Sequence, residues 1–242
     1  MRAYSEDLLV NSTPQQRVRW HGFASVPELQ ADAATRIRSV AHSASTARGV
    51  FRIVLAGGNT PRGVYESLRK AITDWSKWQV YFGDERCAPA SDPQRNSRMA
   101  REALLDHVPI PRANVHVIPA EAGPVDGAAQ YAQLLHAVGQ FDLVLMGLGE
   151  DGHTASLFPG HDWGVEKNSP DALPVLDAPK PPPERVSMSA ARLSRSRAVL
   201  FLAEGEAKRE AIARWRNGET IPATSIAPPA GVDVLTESSL LD

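Results

Sequence analysis

The sequence predicts an α/β fold, a mainly parallel sheet with helices on both faces, and three observations carry that expectation. Short apolar runs of strand length recur along the chain. Stretches with helical spacing separate them. Several of the runs empty directly into glycine-bearing turns, the junction that joins a strand to a following helix. At 242 residues the chain suits a single α/β domain spanning 1–242 with a substantial core.

The elements follow in order. Ser25-Val-Pro-Glu28 reads as a capping box with proline in the first turn. The helix it opens runs from Glu28 to Arg48, with Leu29, Ala33, Ile37, Val40 and Ala41 near helical spacing and Gly49 as the stop. Phe51 to Leu55 is a short apolar strand, and Pro61 to Lys70 a helix with Thr60 as N-cap. Gln79 to Phe82 is a second strand. Asn96 to Leu105 reads as helix, Val115 to Ile118 as strand and Asp126 to Val138 as helix. The apolar run Leu143 to Met146 reads as a buried strand, after which Thr154-Ala-Ser-Leu157 can open a helix. Asn168 to Glu184 holds six of the 19 prolines, has no period, and reads as a loop. Arg185 to Ser189 and Ala198 to Ala203 are strands, and Glu206 to Asn217 is a helix ended by Gly218.

Composition removes several function classes. Hydrophobic residues make up 43% and charged residues 22%, which excludes a disordered chain. The 26 basic residues nearly balance the 28 acidic ones, so a general nucleic-acid binder is not expected, although a local basic pocket is compatible with that total. Cys87 is the only cysteine, which excludes an intrachain disulfide and a cysteine-rich zinc site. The opening Met1-Arg-Ala-Tyr-Ser-Glu-Asp7 has no apolar signal core, and no apolar run approaches the ~20 residues of a membrane span. A soluble, cytoplasmic protein without a membrane partner is the expectation.

Chemistry concentrates in four loops. Gly57-Gly58-Asn59-Thr60-Pro61 follows a strand and precedes a helix. Its glycines let backbone N–H groups approach an anion, and the helix dipole adds to that attraction. A tight strand-to-helix turn is the plainer reading. No Gly-Lys-Ser/Thr follows, so it is not a Walker A loop. Gly83-Asp84-Glu85-Arg86 places three charges after a strand. Arg86 can take a phosphate or carboxylate in bidentate fashion with Asp84 or Glu85 orienting it, or the charges are simply solvated. Cys87 beside them is read as packing, not as a reactive thiol.

The third loop, Gly147-Leu-Gly149-Glu150-Asp151-Gly152-His153, matches the G-x-G-x-x-G dinucleotide pattern. That reading fails, because the ribose-binding acid expected about 20 residues on would fall near Asp171 in the proline-rich stretch. Two carboxylates in the turn would also repel a pyrophosphate. His153 is the better centre, since an imidazole suits a proton acceptor near neutrality and Asp151 or Glu150 can fix its tautomer. A helix-capping histidine is the bland alternative, and a metal site is not expected from three such residues in one turn. The fourth loop is Gly205-Glu-Ala-Lys208-Arg209. A lysine in the first turn of a helix opposes the dipole, which a bound anion would offset, or it is merely solvated. Asn96, Arg98 and Arg192 are weaker candidates for the same pocket. Loops at the carboxyl ends of strands in an open α/β sheet can converge on one site.

Taken together, Leu55-Ala-Gly-Gly-Asn-Thr-Pro61, Tyr81-Phe-Gly-Asp-Glu-Arg-Cys-Ala-Pro89, Asn96-Ser-Arg-Met-Ala-Arg-Glu102, Gly147-Leu-Gly-Glu-Asp-Gly-His-Thr-Ala-Ser-Leu-Phe-Pro159 and Gly205-Glu-Ala-Lys208 closely resemble the 6-phosphogluconolactonase family. The match runs in order from about residue 20 onward. That family groups with glucosamine-6-phosphate deaminase and ribose-5-phosphate isomerase among modified Rossmann-like sugar-phosphate enzymes. The resemblance implies a cofactor-free hydrolase of the pentose phosphate pathway acting on a small sugar-phosphate lactone; a metal-independent monomer is the expectation. It implies His153 as general base, and Gly57 to Thr60, Arg86 and Lys208 at the substrate and phosphate pocket. It leaves open which cation holds phosphate and which steadies the oxyanion.

Two segments depart from the family pattern: Ser187-Met-Ser-Ala-Ala-Arg-Leu-Ser194, and a C-terminus without a tryptophan. Ser156 lacks the flanking glycines of a nucleophile elbow, so no covalent intermediate is expected. The deaminase branch shares Asp-Gly-His but continues toward Phe-Asn-Glu-Pro, whereas Ser156-Leu-Phe-Pro159 stands here. A non-catalytic sugar-phosphate sensor would have no need of the intact Glu150-Asp-Gly-His153 set.

Overall fold

The computed structural model describes residues 16–242; the reading made for Met1 to Asp7 lies outside the described residues. A seven-stranded sheet forms the centre, in the order β1 (Val18–Phe23), β10 (Val232–Glu237), β9 (Val199–Ala203), β6 (Leu143–Gly147), β2 (Phe51–Leu55), β3 (Trp78–Phe82) and β5 (Val115–His116). Every neighbouring pair is parallel. A parallel sheet covered by helices buries both faces, and the central strands are accordingly continuous apolar runs, such as Val199-Leu-Phe-Leu-Ala203 with every residue buried. From β2 the chain builds outward through β3 and β5. From β6 it builds the other way through β9 and β10. The order therefore reverses between β2 and β6, and at such a switch point the loops leaving adjacent strands part to form a crevice.

Helix α1 (Val26–Arg48) begins where Ser25 Oγ accepts the Glu28 N–H and Glu28 Oε2 accepts the Ala24 N–H. It ends at Gly49, whose φ of 72° only glycine adopts without strain. The stripe Leu29, Ala33, Ile37, Ala41 and Ala44 is buried, and small alanines let α1 lie close to α2 (Asn59–Leu68) and to β2 and β10. Two tyrosines tie helices to the strand exits. The Tyr65 hydroxyl on α2 bonds both the N–H and the carbonyl of Ala56, just after β2. The Tyr131 hydroxyl on α4 (Pro124–His136) does the same at Phe82, the last residue of β3.

A smaller antiparallel sheet, β4 (Asp84–Arg86), β8 (Arg185–Met188) and β7 (Ala172–Val175), leans on the end of the main one. Gly83 alone separates β3 from β4. Its N–H reaches Leu55 in the main sheet, and its carbonyl accepts from Met188 in the small one.

Several expectations need correction. Thr154 to Leu157 does not open a helix: Ala155 takes a positive φ of 49°, and Thr154 and Leu157 close a bridge across a tight turn. The stretch Asn168 to Glu184 is not strand-free, because β7 lies inside it. Pro174 stands opposite Val186 of β8, and β7 is an edge strand of the small sheet, where a residue without an N–H donor is tolerated, so the prolines hid a strand. The strand beginning at Arg185 belongs to this second sheet and not to the parallel one. Thr60 is not an N-cap, since α2 starts at Asn59 after Gly58. The segment after Gly205 opens as a 3-10 turn, Glu206–Lys208, before α6 (Arg209–Arg216). Strands β1 and β10 had no counterpart in the sequence reading. No described helix is long and apolar enough to cross a membrane.

Candidate active site

The loops leaving β2, β3, β6 and β9 converge on one cleft at the switch point, lined among others by Gly57, Gly58, Asp84, Arg86, Asn96, His153, Arg185 and Lys208. Helix α2 aims its N-terminus at it. Gly58 has a φ of 106° and supplies no side chain, so the first-turn N–H groups have no side-chain cap. Gly57 is required by crowding, because a Cβ there would sit 2.0 Å from Asn96 Oδ1.

The acidic residues after β3 are construction, not solvated charge. Asp84 is buried and accepts from Asn96 Nδ2 at 3.0 Å and from Ser156 Oγ at 2.6 Å, so one carboxylate links β4, helix α3 (Asn96–Ala103) and the turn after β6. Glu85 is fully buried. It accepts the N–H groups of Asn96 and Ser97 at 2.7 and 2.8 Å, capping α3, and pairs with buried Arg95 at 3.1 Å. The N-terminus of α3 is thereby already occupied by a carboxylate.

The turn after β6 is wound tightly. The Gly149 N–H donates to the His153 carbonyl at 2.7 Å, the Gly152 N–H to Gly149 at 3.0 Å, and Thr154 Oγ1 to the Gly147 carbonyl at 2.8 Å. His153 folds back over Gly149, where a Cβ would lie 1.9 Å from Nδ1. Its Nδ1 lies 2.5 Å from Asp151 Oδ1, which also accepts the His153 N–H at 3.1 Å. A carboxylate on Nδ1 fixes the tautomer with the proton there and leaves Nε2 as the proton acceptor. Burial holds the His153 pKa below the ordinary imidazole range, against the attraction of Asp151. For Asp151, burial acts to raise the pKa, but His153 and its hydrogen bonds outweigh it, and the carboxyl stays below its usual range. The pair is thus a neutral imidazole beside an ionised carboxylate at neutral pH.

Three cations face the cleft without a carboxylate partner among the described residues: Arg86, Arg185 and Lys208. Arg86 donates to the Gln94 carbonyl at 2.5 Å. Arg185 is 4% exposed and is held by the carbonyls of Pro182 at 3.0 Å and Lys180 at 2.7 Å. Burial weakens its hold on its proton. Sequence reasoning missed Arg185 because it lies in a strand of its own small sheet, next to the proline-rich stretch, with no glycine loop to mark it.

Other candidates fall elsewhere. Arg192 is buried away from the cleft, its guanidinium 3.9 Å from the Phe141 ring centroid and bonded to the Val138 and Gly139 carbonyls, a packing role. Arg98 pairs with Glu102 on the exposed side of α3. Glu150 is exposed, and the contact to the imidazole comes from Asp151 instead. Asn59 is exposed and Thr60 buried. Neither side chain lines the cleft, so that loop presents its glycines and backbone. Burial, with Glu184 adding to it, pushes the Cys87 thiol up to about 11, which fits packing. No group of three His, Cys, Asp or Glu side chains among the described residues is placed to hold a metal.

Known proteins share this fold. The profile of the family described as "Glucosamine-6-phosphate isomerases/6-phosphogluconolactonase" matches residues 24–235. The chain is 38% identical to a 6-phosphogluconolactonase of Mycobacterium leprae, over 87% of this chain and 90% of that one. It is 39% identical to one of Streptomyces coelicolor, over 79% and 80%. The crystal structure of the Thermotoga maritima 6-phosphogluconolactonase superposes with a TM-score of 0.82 at 26% identity, covering 91% of this chain and 99% of that one. The Trypanosoma brucei 6-phosphogluconolactonase gives 0.81 at 26%, covering 93% and 98%. The chain belongs to the glucosamine-6-phosphate isomerase/6-phosphogluconolactonase family.

Proposed function

We propose that this protein is a 6-phosphogluconolactonase, hydrolysing 6-phospho-D-glucono-1,5-lactone to 6-phospho-D-gluconate in the oxidative pentose phosphate pathway, with His153 as general base. The observation that carries the reading is His153, its Nδ1 against Asp151 Oδ1, at the edge of a cleft lined by three cations without carboxylate partners among the described residues. The relatives named above carry the same activity in their names.

The geometry supports a short reaction sequence. His153 Nε2 takes a proton from water as its oxygen attacks the lactone carbonyl carbon. Negative charge collects on the carbonyl oxygen, where the cationic lining or the backbone N–H groups at the Gly57–Gly58 turn can meet it. The tetrahedral species collapses, the bond from C1 to the ring oxygen breaks, and the imidazolium returns its proton to that oxygen. The new carboxylic acid ionises and releases one proton. Arg86, Arg185 and Lys208, with the uncapped start of α2, are suited to the substrate phosphate. Ser156 takes no part as a nucleophile, since its hydroxyl donates to Asp84.

The test is proton release from freshly made 6-phosphogluconolactone, corrected for spontaneous hydrolysis, alongside ammonia release from glucosamine 6-phosphate. Accelerated lactone opening without ammonia is expected. A rate equal to the spontaneous one overturns the proposal, and ammonia release reassigns the protein to the deaminase branch.

A further inference from the structure

We infer that Phe158 is a positioning residue for the reaction, its ring a wedge that fixes the His153 imidazole and the Arg185 guanidinium relative to one another. The Phe158 and His153 rings lie 4.7 Å apart, tilted by 39°. The Arg185 guanidinium carbon stands 5.4 Å from the centroid of the same ring. Phe158 is completely buried, and the Trp163 indole N–H donates to its carbonyl at 2.6 Å, which pins the backbone beneath the ring.

A core phenylalanine would be the plainer account, but Phe158 stands outside the main core. It forms a small separate apolar cluster with Val175 and Ala178. The stretch that supplies Val175 and Ala178 also supplies the Lys180 and Pro182 carbonyls that hold Arg185. One segment therefore clamps both the wedge and the cation, and the wedge touches the base. An aromatic face can accept a guanidinium while excluding water from an adjacent imidazole, which an aliphatic side chain does less well.

The charged groups facing His153 are Asp151 on its own turn, Asp84 on β4 and Lys180 from the proline-rich stretch, with Arg86, Arg185 and Lys208 lining the same cleft. Replacing Phe158 removes none of them, so a change in His153 titration would trace to the lost ring or to the Arg185 charge it holds, and release of either raises the midpoint. Desolvation disfavours the imidazolium, and loss of the ring relieves it.

The inference rests on the lactonase reading for its kinetics but not for its titration. Phe158→Leu, Phe158→Met and Phe158→Tyr would be compared with the unmodified protein by NMR titration of the His153 ring carbon and by steady-state lactone hydrolysis, with thermal unfolding confirming the fold. In the Leu and Met variants the His153 midpoint should move up toward the free-imidazole value. KM for the phosphorylated lactone should rise, and kcat/KM should fall by about 10- to 100-fold at neutral pH. The Tyr variant keeps the ring and should keep the original midpoint. An unchanged midpoint and KM in either folded ringless variant would overturn the inference. If lactone hydrolysis were absent altogether, the titration would still decide the wedge, so the two failures are distinguishable.

Discussion

Arg86 and Arg185 stand directly opposite each other on the antiparallel strands β4 and β8, both line the cleft, and neither has a carboxylate partner among the described residues. Like charges in that register repel, and burial of Arg185 makes the repulsion harder to screen. On the proposed reading, an anion held between them would turn the conflict into a binding site. Unfolding temperature should therefore rise on adding 6-phosphogluconate or inorganic phosphate, by mass action on the folded state. Arg185→Met should abolish most of that rise and increase KM by about 10-fold or more, without lowering the stability of the ligand-free protein to match. A ligand-induced rise of full size in the Met variant would remove Arg185 from the phosphate site.

His153→Ala should lower kcat by about 10²–10⁴-fold and leave 6-phosphogluconate binding in place. Burial depresses the imidazole pKa, so the proposed base stays unprotonated to lower pH than a free histidine, and activity should persist below the ordinary histidine range before its acid limb appears. In Asp151→Asn the attraction that partly restores that pKa is gone. Its acid limb should shift further toward acid while kcat falls through loss of the fixed tautomer. A limb moving toward neutral pH in this variant would contradict the pairing at Nδ1.

The same depressed pKa has a stability consequence of definite sign. Between the unfolded histidine pKa and the lower folded one, the unfolded chain binds a proton that the folded chain does not, so His153 costs stability as pH falls through that window. His153→Gln should flatten the decline in unfolding free energy on the acid side of the ordinary histidine value. A steeper decline would mean that the imidazole is protonated in the folded protein.

Much of the site was legible in the sequence because glycine turns after apolar runs mark strand exits. The turns at Gly57, Gly83, Gly147 and Gly205 all lead into the cleft. What stayed hidden depended on partners distant in sequence. Strand β1 alternates weakly and gains its place only by pairing with β10 more than 200 residues later, so no local pattern announces it. Strand β7 was masked by Pro170 and Pro174, and with it the small sheet that carries Arg185. In the sequence Arg192 and Glu85 look alike, each a charge near a motif. Only the packing shows that one lies over Phe141 and the other caps a helix. Thr154 to Leu157 failed as a helix because folding His153 back over Gly149 winds the chain into a turn that Ala155 completes at positive φ.

Gly149 sets the position of the His153 imidazole through space alone. An alanine Cβ would fall 1.9 Å from His153 Nδ1, so either the imidazole or the turn must move, and the bond to Asp151 cannot survive unchanged. Gly149→Ala should reduce kcat by about 10²-fold or more while the central sheet remains folded. Circular dichroism and the activity assay on the same sample check both halves, and near-normal kcat would show that the turn can give way.

Glu85 offers a stability test separate from catalysis. Its carboxylate accepts two helix N–H groups and the Arg86 N–H, and forms an ion pair with the Arg95 guanidinium. Glu85→Gln keeps the shape but leaves Arg95, 2% exposed, with only the half-exposed Glu121 as counter-charge. Removing one member of a buried pair costs about 3–5 kcal/mol, and chemical denaturation should register a loss of that order. Arg98→Ala, which removes an exposed pair with Glu102 on the same helix, should change stability by no more than about 0.5 kcal/mol. A Glu85 variant as mild as the Arg98 one would show that water reaches the junction of β4 and α3.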